Sequence, residues 1–156
     1  MMSTVSVEEI LRQVAEERDR QDAQWGKPAE RGYGADMWLA VLGEEVGEVC
    51  AAVTEGGCGD MHGHDLRAEL IQVAAVCGAW CEADGALHWL KAVRNTLIGG
   101  DVAREQRQHG LLVCVLTLLG RIAGARADTH TSRMWRMRLA AHAVQWAANL
   151  GPAERP

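Results

Sequence analysis

Apolar residues recur along this chain at intervals of three and four, and nowhere do β-branched residues alternate with polar ones. That pattern predicts helices throughout and no strands. The first helix should begin after Ser6, because Ser6-Val7-Glu8-Glu9 has capping-box spacing, and run to about residue 24. "WGKPAERGYG" then reads as a loop, and a second helix follows over about 36–54. "EGGCGDMHGH" interrupts the pattern before a third helix, predicted from about 65 to 82. Past the Asp84-Gly85 turn come a short helix over about 86–97 and a long one over about 102–126. Gly110 should kink or divide the long one. A last helix, about 131–150, stops at Gly151-Pro152.

Composition bounds the class. The 156 residues, 48% of them hydrophobic, suit a single all-α domain with its own core. No apolar run approaches the roughly 20 residues that would span a bilayer. The charged N-terminus has no apolar signal core, so a cytoplasmic location is expected. Five cysteines form no CxxC pair and read as reduced thiols, most of them buried. The net charge of −5 hides an asymmetry. Residues 1–90 carry 6 Lys/Arg and 17 Asp/Glu, whereas residues 91–156 carry 10 and 4. Such a division suits a site with cations on one wall and anions near the other, or two helical layers that pack by opposite charge.

A faint internal repeat accompanies the asymmetry. "RQDAQWG" (20–26) matches "REQRQHG" (104–110), and "VAAVCGAW" (73–80) matches "LAAHAVQW" (139–146). In that register Glu69 falls opposite Trp135 and Gln72 opposite Arg138, so the basic half would be a degenerate copy without the carboxylates.

The second helix raises the chemical question. In "WLAVLGEEVGEVCAA" (38–52) the stripe Trp38, Leu42, Val46, Val49 and Val53 should face the core. At about 100° per residue, Glu45 lies about 60° from Leu42, Glu48 about 120° and Glu44 about 160°, all toward one flank. On the third helix, Leu66, Leu70, Ala74, Cys77 and Cys81 form the stripe, with Glu69 and Gln72 on its flank. Antiparallel packing would bring Glu45, Glu48 and Glu69 together. Clustered carboxylates repel at low dielectric unless a cation joins them, and hard oxygen donors select Mg²⁺ or Mn²⁺. The alternative is a solvated acidic face, which is the usual meaning of an isolated ExxE.

The two segments together, "WLAVLGEEVGEVCAAVTEG" and "DLRAELIQVAAVCGAWCEA", resemble the MazG-like all-α nucleoside triphosphate pyrophosphohydrolases. That family carries ExxE, often EExxE, on one helix and ExxD on the next. "RQDAQWG" is also similar to the segment leading into the family's first acidic helix. The resemblance covers about residues 8–83. It implies a helical bundle with Mg²⁺ held by Glu44, Glu45, Glu48, Glu69 and Gln72, and with Glu45 or Glu48 orienting the attacking water. It further implies cleavage of a nucleoside triphosphate to monophosphate and pyrophosphate, in a dimer or tetramer. One departure stands out. Gln72 occupies the position of the family's aspartate, and an amide oxygen ligates Mg²⁺ without a formal charge.

The triphosphate tail needs cations, and Arg20, Lys27, Arg31, Arg104 and Arg107 are candidates, each also explicable as an ordinary surface charge. Trp25 can stack on a base, and Gln24 can read a base edge. Trp38, on the apolar stripe, belongs to the core. Cys58, His62, His64 and Asp65 match no zinc spacing, and Asp65 is explained as an N-cap. His142 reads as a core or interface histidine. Arginines without interleaved aromatics give no case for nucleic acid. Two other classes compete with the enzyme: a non-catalytic nucleotide or metal sensor, which Gln72 permits, and a helical interaction module with an acidic flank.

Overall fold

A computed structural model describes residues 5–55 and 65–150. Among these the chain is all helix: α1 (Val7–Trp25), α2 (Ala35–Glu55), α3 (Leu66–Ala83), α4 (Trp89–Ile98), α5 (Asp101–His109), α6 (Leu111–Gly124) and α7 (Thr129–Asn149), with one 3₁₀ turn at Pro28–Glu30. None of these helices is long and apolar enough to cross a membrane.

The helix ends follow local chemistry. Ser6 Oγ accepts the Glu9 amide at 3.1 Å. Only half of the capping box forms, because the Glu9 carboxylate turns to Arg12 and Gln13 instead. Asp65 and Asp128 cap α3 and α7 in the same way as Ser6, and the second cap starts α7 two residues earlier than the apolar periodicity suggests. Gly110, at φ 82°, divides the predicted 102–126 helix into α5 and α6. A left-handed residue ends a helix, and glycine takes that conformation without strain. The fourth helix begins at Trp89 rather than near 86, since the turn after Asp84 folds back to bond Ala86 N to Cys81 O.

Helix α3 is the axis of the bundle. It is buried from Val73 to Cys81 with no gap, which explains a sequence apolar nearly all round. It packs most extensively on α7, and also on α2 and α1. At Gly78 the Trp89 ring of α4 packs directly against α3. A Cβ there would meet the Trp89 ring at 2.2 Å, and the same indole donates Nε1–H to Glu82 at 2.7 Å. Trp38, Leu42, Val46 and Val49 of α2 are core residues as expected, but Val53 is 37% exposed. The stripe therefore ends one turn early. Of the cysteines described, 77, 81 and 114 are buried, Cys50 is half-buried, and none is paired. Cys58 lies outside the described residues, as do His62 and His64.

Part of the charge asymmetry serves packing. Arg136–Asp84 (2.6 Å), Arg126–Asp36 (2.8 Å) and Arg94–Glu8 (2.8 Å) each join the basic half to the acidic one. Arg136 is fully buried and also lies 4.4 Å above the Trp80 ring. Within the acidic half, the buried Arg18 links α1 to the end of α3 by bonding both Asp22 and Glu82.

Candidate metal-binding site

Helices α2 and α3 bring three of the flank glutamates together. Glu45, Glu48 and Glu69 each offer a carboxylate oxygen, and the three oxygens lie within 4.8 Å of one another. The local cause is the helical repeat: Glu45 and Glu48 are one turn apart on α2, and Glu69 sits in the first turn of α3. Glu69 is buried, and Glu45 and Glu48 are half-buried. Glu44, directed further round α2, is exposed and stands outside this trio.

Electrostatics at the cluster are unfavourable for a bare protein. Burial raises the Glu45 pKa first, and the charges of Glu48, Glu69, Glu44 and Glu17 add to it, reaching about 7. Its Oε2 is buried and accepts no hydrogen bond from the described residues. A buried carboxylate oxygen without a donor is costly, and a cation meets that need where a hydrogen bond does not. Three hard oxygen donors on two rigid helices fit a Mg²⁺ or Mn²⁺ ion, which keeps its remaining positions for water or phosphate oxygens.

Gln72 reaches the cluster through its side-chain amide. Its Nε2 donates to Glu69 Oε2 at 3.1 Å, so the amide fixes the orientation of the carboxylate. Gln72 and Arg20 line one cleft between α1 and α3, of about 490 Å³. Arg20 carries its guanidinium on Glu17 at 2.7 Å and donates to Gln24 Oε1 at 2.9 Å. It also stands 5.7 Å from the Trp25 ring centre. Arg20, Gln24 and Trp25 therefore form a single patch, with Trp25 half exposed. Lys27 is exposed beyond it, at the cap of the 3₁₀ turn. Arg31, by contrast, is committed to structure, donating to Gly26 O and lying against both Trp25 and Trp38.

Glu17 is the residue that sequence reasoning missed. It lines the cleft, its charge reaches Glu45, and it anchors Arg20. Burial pushes its carboxyl up, but hydrogen bonds from Arg20 and Gln21 outweigh that and hold it below the usual range. The available signal was Glu17-x-x-Arg20 spacing, which helices use so often for surface pairs that it singles out nothing.

Compared with known proteins, the chain matches no family model, no curated sequence and no solved structure.

Proposed function

We propose that this protein is a Mg²⁺-dependent nucleoside triphosphate pyrophosphohydrolase of the MazG-like kind, acting on the cytoplasmic nucleotide pool. The observation that carries the reading is the trio Glu45, Glu48 and Glu69, with a buried Glu45 oxygen that no donor among the described residues satisfies. Those three carboxylates would hold the cation, with Glu44 adding negative charge from the exposed side of α2 and Gln72 steadying Glu69. When bound, the metal neutralises phosphate oxygens and makes water a better nucleophile. Arg20 supplies positive charge in the adjoining cleft for the triphosphate tail, and Lys27 extends it at the rim. Trp25 offers a ring face to the base, with Gln24 at its edge. Glu45 or Glu48 orients the water that attacks the α-phosphorus. The bond to the bridging oxygen breaks, and pyrophosphate leaves. A dimer or tetramer goes with this reading, and light scattering would measure it.

The sensor alternative draws on Gln72, whose amide replaces a carboxylate and reduces the charge available to the metal. Turnover of the common and modified nucleoside triphosphates with Mg²⁺, followed by pyrophosphate release, decides between them. Pyrophosphate and monophosphate in equal amounts are expected. Metal and nucleotide binding without any turnover would leave the sensor, and no response to either would leave an interaction module.

A further inference from the structure

The second half of the molecule contains a cleft where the first half has its acids. Helices α5, α6 and α7 repeat the order of α1, α2 and α3, and α1 and α5 both end at a left-handed glycine, Gly26 (φ 79°) and Gly110 (φ 82°). Pairing Gly47 with Gly120 sets Leu42 opposite Val115 and Val49 opposite Ile122, and all four are completely buried. In that register Glu45 and Glu48 correspond to Leu118 and Arg121. The octapeptide match of 73–80 with 139–146 likewise sets Glu69 and Gln72 opposite Trp135 and Arg138. Those four replacements all line one cavity of about 330 Å³. An acidic corner has become an aromatic and basic one.

The charges in this cavity are incompletely paired. Arg138 is bound to Glu105, and Glu105 also meets His142 Nε2 at 3.0 Å. Arg121 lies 4.5 Å from the Trp135 ring centre, and among the described residues no carboxylate is within ion-pair distance of it. Two guanidiniums against one carboxylate leave a net positive charge, which suits a singly or doubly charged anion and not a triphosphate without metal. The volume exceeds what inorganic phosphate fills, and Leu118, Val113 and Trp135 supply an apolar wall.

We propose that this cleft binds a nucleoside monophosphate, with the phosphate on Arg121 and Arg138 and the base against the Trp135 wall. The inference rests on the second cleft alone. Should the pyrophosphohydrolase reading also hold, the cleft is a site for the reaction's product.

Calorimetry in EDTA with AMP, GMP, CMP and UMP tests it, because without metal the acidic cluster repels nucleotides. At least one monophosphate should bind, with adenosine and inorganic phosphate each weaker by about tenfold or more. Arg121→Glu should weaken binding by at least about tenfold, since it reverses a charge at the phosphate. Arg121 is exposed, so the variant should retain its melting temperature, and Glu48→Gln should bind as the wild type does. Absence of binding by all four at millimolar concentration overturns the proposal. So does binding that Arg121→Glu leaves intact, or binding that Glu48→Gln abolishes. Failure here leaves pyrophosphate release untouched, and absence of turnover leaves this measurement untouched.

Discussion

Replacing Glu45 by glutamine should stabilise the metal-free protein, and only above a particular pH. In the folded state Glu45 binds its proton more tightly than in the unfolded chain, where its pKa is near 4.5, against about 7 in the bundle. The contribution of this group to stability is therefore greatest below about pH 4.5, falls as pH rises, and levels off above about 7. Each pKa unit is worth about 1.4 kcal/mol, so ionised Glu45 costs the apo fold about 3 kcal/mol at pH 8. Glutamine keeps the shape and discards the charge, but it still buries an amide, so a net gain of about 2–3 kcal/mol is expected. For a chain of this length that is about 5–10 °C in melting temperature. Urea denaturation in EDTA at pH 5 and pH 8 measures both limits. The gain should be below about 1 kcal/mol at pH 5 and full at pH 8. Saturating Mg²⁺ at pH 8 should reverse the order, because the native wild type gains binding energy that the variant loses. A variant no more stable than wild type at pH 8, or equally stabilised at both pH values, would refute the electrostatic account of the cluster.

The remaining expectations concern the same helices. Glu48→Gln and Glu69→Gln should each remove most pyrophosphate release while leaving the helical circular dichroism unchanged; near-normal turnover would take that residue out of the metal site. Gln72→Asp should lower the Mg²⁺ concentration for half-maximal activity and Gln72→Ala should raise it, read from titrations of the three proteins. Superimposable curves would mean that Gln72 has no influence on the metal. Gly78→Ala should destabilise by about 1–3 kcal/mol in urea, because its Cβ falls on the Trp89 ring and a packed indole has nowhere to move. A smaller loss would show that α4 shifts to make room.

What the chain determines by itself is what depends on neighbours a few residues away. Helix is the only element the periodicity allows, and Ser6, Asp65, Gly110 and the Asp84-Gly85 turn mark ends within a residue or so of where they occur. The placing of Glu45, Glu48 and Glu69 on flanks of apolar stripes follows from the 3.6-residue repeat, and so was legible. What the periodicity leaves open is the lateral register of one helix against the next. That register is a matter of long-range packing around α3, and it decides that Glu45, Glu48 and Glu69 meet while Glu44 stays in solvent. It also leaves Val53 beyond the core and turns the Gln72 amide onto Glu69. Glu17 joins the site because α1 happens to pack against α3 at that height, and Arg121 lies on Trp135 because α6 and α7 adjoin. The raised pKa of Glu45 belongs to the same class, since burial and like charge arise only once the helices are assembled.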